Sequence, residues 1–346
     1  MEEKKIFKVT SNPILRAPRG TRQIMLDVII GLVPALAVAV YMFGANVVLL
    51  LAVSIVSCVF FEWGYRKLMK KNSTVGDLSA VVTAILLVCV LPSEAKWWMV
   101  VIGSFFSVVV VKQLYGGIGK NFLNPALAGR AFLTAAYAGY MTVWAVPSVL
   151  SGAVDAATMA TPLSYLYSGQ PLPEHMGLGS IFLGGIPGSV GEISTLAVLI
   201  GGLWLLARKV ISWRIPVSFI GSVAVLCLIF GHEGYGRFDW MLLNVCSGGL
   251  VLGAFFMATD YSTSPVTLKG QLVFGLGCGV LTVLIRYFGS YPEGVSYAIL
   301  IMNCGTWGVD MLTRPRPFGV SAEDVKAAKA AKKAAKKQAK EGAANG

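Results

Sequence analysis

Two threonines in a short polar run offer this chain its most distinctive chemistry. The run Asp155-Ala156-Ala157-Thr158-Met159-Ala160-Thr161-Pro162-Leu163 sets hydroxyls at positions 158 and 161 behind a carboxylate. A Ser/Thr-rich loop of this kind can expose a hydroxyl for esterification by phosphate, while a nearby acid serves recognition by the modifying enzyme or holds a metal during transfer. On residue types alone, a threonine-rich turn leading into proline is the plainer account. A second group lies within or beside long apolar runs: Arg130, Asp260 and Asp310, with Asn124, Asn244, Asn303 and Thr259 as further oxygen donors. Ionisable groups at membrane depth are costly and face an interior cavity or a partner. Asn124, Arg130, Asp260, Asn303 and Asp310 are therefore candidates for an ion path. The alternative is structural, with Asp260 ending a helix near the cytoplasmic face and Arg130 paired locally. His175 and His232 are far apart in sequence and read as solvated loop residues. All six cysteines fall in apolar runs and no Cys-x-x-Cys occurs, so no metal or iron–sulfur site built by this chain alone is expected.

The elements that must position these groups are membrane helices. The chain has 346 residues, 55% hydrophobic and 13% charged, with a mean hydropathy of +0.70. Soluble domains carry about 25% charged residues, and disorder needs low hydrophobicity, so both classes are excluded. Ten apolar segments can be drawn, at 25–43, 47–63, 78–91, 97–111, 125–144, 193–207, 217–230, 240–259, 272–288 and 295–312. The first is too long, and too closely followed by the second, to read as a cleaved signal peptide. The segments at 78–91 and 193–207 are short for a full crossing, and short or interrupted helices point to an intramembrane site. Trp97, Trp98, Trp144, Trp213 and Trp240 stand at segment ends, as an interfacial aromatic belt predicts.

Charge sets the orientation. Of the 29 basic residues, all but Lys96, Arg130, Arg237 and Arg286 fall in the two termini and the even-numbered loops. The positive-inside rule then makes both ends cytoplasmic. The stretch 145–192 contains no Lys or Arg and is the longest connection, so it faces outward. This divides the chain into a basic amino-terminal segment 1–24, a five-helix unit 25–144, the outward loop 145–192, a second five-helix unit 193–312, and a Lys/Ala-rich tail 313–346. The tail reads as an anchor on the lipid surface. With no aromatic interleaved among its lysines, it gives nucleic-acid binding no support.

Five segments on each side of the loop put the halves in opposite orientations, the pattern of inverted repeats. Echoes in residue class agree. Leu91-Pro92 closes the third segment as Met257-Ala258-Thr259-Asp260 closes the eighth, and Asn124 opens the fifth while Asn303 lies in the tenth. The expected fold is an all-α integral membrane protein of about ten transmembrane helices in two inverted five-helix repeats.

The run from Asp155 to Thr161 resembles the flavinylation motif Asp-x-x-(Ser/Thr)-x-Ala-Thr of the RnfD/NqrB family of membrane proteins. Thr161 matches its final threonine, Thr158 the preceding Ser/Thr, and Asp155 the acid; Met159 replaces a glycine frequent in NqrB. Lys120-Asn121-Phe122-Leu123-Asn124-Pro125-Ala126-Leu127-Ala128-Gly129-Arg130-Ala131-Phe132 is also similar to that family, as are Pro18-Arg19-Gly20 and Ala258-Thr259-Asp260 before Ser264-Pro265. The order of features fits RnfD. The resemblance implies FMN joined to Thr161 by a phosphoester, installed outside the cytoplasm by an ApbE-like flavin transferase. It also implies a second, non-covalent flavin such as riboflavin, to which no residue is assigned. The implied setting is a bacterial or archaeal cytoplasmic (inner) membrane complex with RnfA, RnfB, RnfC, RnfE and RnfG, coupling electron transfer between ferredoxin and NAD⁺ to Na⁺ or H⁺ movement. Donor and acceptor sites would lie on other members of the complex. Two rival expectations are a solute channel of urea- or ammonium-channel-like architecture without a redox role, and a structural anchor for redox partners.

Overall fold

The protein is represented by a computed structural model, which describes residues 19–147, 158–173, 176–232, 234–289 and 293–315. Among these, regular structure is helical, with isolated bridges at Pro92–Ser189 and Ala145–Thr158. The termini, Asp155 and His175 lie outside the described residues.

The helices are α1 (Thr21–Phe43), α2 (Ala45–Leu68), α3 (Ser79–Cys89), α4 (Trp97–Phe105, continuing as a π-helix over Phe106–Gln113), α5 (Pro125–Ala136) and α6 (Ala138–Met141). Then come α7 (Pro162–Tyr167), α8 (Leu178–Leu183), α9 (Thr195–Ala207), α10 (Arg214–Phe230), α11 (Arg237–Cys246), α12 (Leu250–Leu252, continuing as a π-helix over Gly253–Met257), α13 (Leu268–Phe288) and α14 (Val295–Thr313). Helices α1, α2, α13 and α14 are long and apolar enough to cross a membrane, and α11 with the α12 segment adds a fifth if the bent pair is one span. Shorter apolar helices are α3, α4 with its π extension, α9 and α10. The surface is apolar as well: Val56 is 69% and Ile229 62% exposed, as expected where the solvent is hydrocarbon. The chain is a multi-pass membrane protein.

Small residues set the packing. Without a hydrophobic drive between helices in lipid, close approach of backbones supplies the contact energy. Helix α1 crosses α9 at Gly31 and Gly201, where a Cβ on Gly201 would overlap the Gly31 carbonyl. Helix α10 meets α13 along Ser218 and Ser222 against Gly275 and Gly279, one turn apart on each helix. The pairing of α10 with α13 parallels that of α2 with α4.

Two apolar runs are not the straight helices that their hydropathy suggests. The run 240–259 bends by 60° between α11 and the α12 segment, because Gly248 and Gly249 adopt φ +68° and +65°. The run 125–144 is interrupted at Tyr137, between α5 and α6. The connection 145–192 is not unpunctuated: its described residues contain α7 and α8, and Val190 and Gly191 donate to the carbonyls of Leu91 and Cys89 at 3.0 and 2.7 Å. Those bonds satisfy orphan carbonyls at the end of α3 and bring the segment before α9 into the interior.

Candidate functional site

Thr161 is the N-cap of α7. Its extended backbone (φ −70°, ψ 156°) and Pro162 at the first helical position suit that role. The hydroxyl accepts weakly from Ser164 N–H at 3.4 Å and lies 2.9 Å from Ser164 Oγ. Thr161 is 4% exposed, whereas Thr158 is exposed and bridges to Ala145. Met159 N–H donates to Trp144 O at 3.1 Å, closing the neck of the loop below the motif. Leu163 and Leu166 are fully buried, and Tyr167 Oη donates to Asn244 Oδ1 at 2.8 Å. Helix α7 is thus seated in the protein body, not on a free loop tip.

Beside it lies a cavity of about 240 Å³ bounded by Ala160 and Ser164, which flank Thr161, and by Arg130, Trp144, Glu293 and Tyr297. Typical ligand pockets span roughly 300–1,000 Å³, so this space has room for only part of a nucleotide-sized group. Its wall suits a flavin: apolar Ala131, Met141 and Trp144 can cover a ring, while Arg130, Thr134 and Ser296 can meet phosphate or carbonyl oxygens. The residues present therefore fit FMN attached at Thr161.

The charged side of this cavity was not visible in the motif. Arg130 forms an ion pair with Glu293, and its other terminal nitrogen donates to Ser296 Oγ at 2.9 Å. Glu192, 7% exposed, accepts from Ser189 N–H at 2.8 Å. Burial pushes its carboxyl up to about 7, and the charge of Glu293 adds to the rise while the Ser189 N–H and Arg130 oppose it. Arg286, counted by sequence as an outward residue, is 1% exposed and donates to Asn244 O at 2.7 Å and Ser247 O at 3.1 Å. Those carbonyls close the end of α11, where a cation is favoured. Counting only Lys and Arg passed over Glu192 and Glu293; carboxylates abutting apolar runs were the available signal.

A second polar region lies between the halves. Asn124 caps α5, accepting from the N–H groups of Ala126 and Leu127 at 3.1 and 3.3 Å and donating to Met257 O at 3.2 Å. With its amide oriented to match its neighbours, Asn303 accepts from Asn124 N–H at 3.2 Å and donates to Ile299 O at 3.3 Å. The two asparagines singled out by sequence therefore meet. Asn124, Thr259 and Asp260 line a cavity of about 80 Å³ together with Ser79 and Lys112. Lys112, assigned by sequence to a cytoplasmic loop, is a buried residue of the first π-helix. It pairs with Glu62 at 2.8 Å and donates to Ser79 Oγ at 2.6 Å. Both π-helices adjoin this cavity, consistent with their frequent occurrence at functional sites.

Asp310 stands apart. It accepts from the N–H groups of Val266 and Thr267 at 3.1 and 3.4 Å, at the start of α13. Asn244 bonds Tyr167 and Arg286. His232 is half-buried, and its ring stacks on Trp240 at 4.5 Å between centroids. Trp240 is fully buried with its N–H on Tyr287 Oη at 2.7 Å, and Trp144 is 8% exposed, so neither belongs to an interfacial belt.

Comparison with known proteins matches residues 8–319 to the NQR2, RnfD, RnfE family. The D subunit of the Na(+)-translocating ferredoxin:NAD(+) oxidoreductase complex of Acetobacterium woodii is 47% identical over 324 residues, 93% of this chain and 98% of the relative. The D subunit of the proton-translocating ferredoxin:NAD(+) oxidoreductase complex of Clostridium ljungdahlii is 41% identical over 325 residues, 92% and 97% of the two chains. The D subunit of the ion-translocating oxidoreductase complex of Actinobacillus succinogenes is 36% identical over 349 residues, covering 91% and 98%. By these matches, the chain belongs to the NQR2, RnfD, RnfE family.

Proposed function

We propose that this protein is the D-type membrane component of an ion-translocating ferredoxin:NAD⁺ oxidoreductase complex and carries FMN on Thr161 as an electron carrier. The observation that carries the reading is the cavity flanking Thr161, with apolar cover, hydroxyls and a guanidinium in its wall. FMN, when bound, supplies the redox chemistry. The chain's own residues do the rest. Thr161 tethers, Arg130 and Ser296 offer donors, and Trp144 with Met141 excludes water. Because Thr161 Oγ rests on Ser164, esterification requires the first turn of α7 to lift or the transferase to act before α7 docks. An ApbE-like flavin transferase outside the cytoplasm performs that step. Asp155 and Thr158 contribute to its recognition.

The proposed topology has ten segments in two inverted halves, with both termini and the Lys/Ala tail cytoplasmic. The matching α2–α4 and α10–α13 pairs and the meeting of Asn124 with Asn303 support it. The proposed ion path engages Asn124, Asn303 and Asp260 on the cytoplasmic side and Arg130 on the outer side. Asp310 is the least suited, since its carboxylate is engaged at the start of α13. The space of about 80 Å³ between the halves holds a few waters but not a tricyclic ring. The second, riboflavin-like flavin is therefore proposed for the chain without a seat in it. RnfA, RnfB, RnfC, RnfE and RnfG complete the complex, and coupling requires the redox state to favour one conformation of the helical core.

Vesicles bearing the whole complex test this reading. Reduced ferredoxin and NAD⁺ should drive labelled-sodium uptake that persists with a protonophore if Na⁺ is the coupling ion, or proton uptake that the protonophore abolishes. Thr161→Ala should stop either. Ion flux through Thr161→Ala at the wild-type rate without ferredoxin would favour the channel reading instead.

A further inference from the structure

We infer that Glu192 is a redox-linked protonation site, its carboxylate taking up one proton when negative charge arrives at the flavin carried by Thr161. This rests on the flavin reading above and adds to it a residue and a proton.

Arg130 from α5 and Glu293 before α14 line the Thr161 cavity, and two further ionisable groups interact with one or both of them, Arg286 from α13 and Glu192 before α9. The Glu192 carboxylate abuts Gly249, and the adjoining Gly248 packs against Leu163 of α7 and against Arg286. Fully ionised, the four ionisable groups sum to zero. The arginines are committed elsewhere, Arg130 to Glu293 and Ser296 and Arg286 to the carbonyls of Asn244 and Ser247. Among the described residues Glu192 belongs to no ion pair. It is held instead in a tight turn by the Ser189 N–H, between Gly188 and Gly249, where a Cβ on either glycine would crowd its carboxylate oxygens. The other titratable groups facing this set are Tyr167, Tyr287 and Cys227 around Arg286 and Tyr297 beside Arg130. Unperturbed tyrosine and cysteine titrate near 10 and 8.5, and all four carry no charge in neutral solution.

Adding one negative charge to a neutral cluster buried away from water is opposed by the low dielectric. Glu192 is the member whose charge can be given up most readily: among the described residues it has no ion-pair partner, it is held by the Ser189 N–H between two glycines, and burial raises its carboxyl to about 7, so that it is ionised above that pH and takes up the proton there. The step balances as follows. One electron from a one-electron donor enters the flavin, one proton from the aqueous phase joins the Glu192 carboxylate, and no bond breaks. Net charge at the site is unchanged, which makes the electron easier to accept as pH falls.

The test uses the full-length chain in detergent, co-produced with a flavin transferase. Flavin fluorescence in the denatured band is read first, and dithionite potentiometry follows from one pH unit below to one unit above the Glu192 value. One proton per electron corresponds to about 59 mV per tenfold change in proton concentration. The wild-type slope of the first electron should exceed that of Glu192→Gln by a clear fraction of this limit, and Glu192→Asp should retain most of it. Infrared difference spectra should show a protonated-carboxyl band formed on reduction in wild type and absent in Glu192→Gln. Labelled bands with equal slopes and an unchanged carboxyl band would overturn the inference alone. An unlabelled wild-type band would overturn the flavin reading and this inference with it.

Discussion

Replacing Lys112 with methionine should leave one buried carboxylate without its countercharge, and the structure sets the size of the loss. Lys112 and Glu62 are 3% and 1% exposed and lie 2.8 Å apart. At an effective dielectric near 20, their attraction is about 6 kcal/mol, offset by the cost of burying both ions. Truncating one member of such a pair costs about 3–5 kcal/mol. The Lys112→Met variant should therefore lose stability within that range. Adding Glu62→Gln to Lys112→Met should restore stability to within about 1 kcal/mol of wild type, because no charge is left buried. Reversible unfolding in mixed micelles, titrated with denaturing detergent, measures this. A single-variant loss below about 1 kcal/mol, or a double variant no more stable than the single one, would refute the reasoning.

Four further outcomes are expected. Gly201→Ala forces α1 and α9 apart, because the new methyl meets the Gly31 carbonyl, and should cost about 1–3 kcal/mol in the same unfolding assay. Gly221→Ala, with nothing within 4 Å of the added carbon, should be neutral or slightly stabilising. Asn124→Ala removes an N-cap and the bond to Met257 O, and should lose about 2–3 kcal/mol, where Asn124→Asp keeps the cap and loses less. Glu192 holds its proton to about 7 in the fold against 4.5 unfolded, so its contribution is full below 4.5 and lost as pH rises through 7. Glu192→Gln should accordingly flatten the stability–pH curve by about 3 kcal/mol across that window, and parallel curves would count against the assignment.

Long apolar runs were legible because a bilayer leaves the chain few alternatives. The run 295–312 became α14 and 25–43 became α1, each within a few residues. Hydropathy averages over backbone geometry, so it could not register the break at Gly248 and Gly249 inside 240–259. Nor could it see that α7 and α8 form within the connection 145–192. The Thr161 motif and Asn124 could be read from local residue types. Their surroundings could not, because each is completed by residues distant in sequence: Thr161 by Arg130 and Glu293, and Asn124 by Met257 and Asn303. Charge counting by loop carries no information on depth, which is why Lys112 and Arg286 were assigned to surfaces although both are buried.

The measurement that bears most directly on the account is peptide mass mapping of the full chain produced with an active flavin transferase. The peptide containing Thr158 and Thr161 should be heavier by one flavin mononucleotide less one water, with fragmentation assigning the addition to Thr161. Thr161→Ala should abolish the adduct and Thr161→Ser should retain it. An unmodified peptide from cells in which the transferase labels other substrates, or an adduct that survives Thr161→Ala, would contradict the assignment of Thr161 as the electron-carrying site.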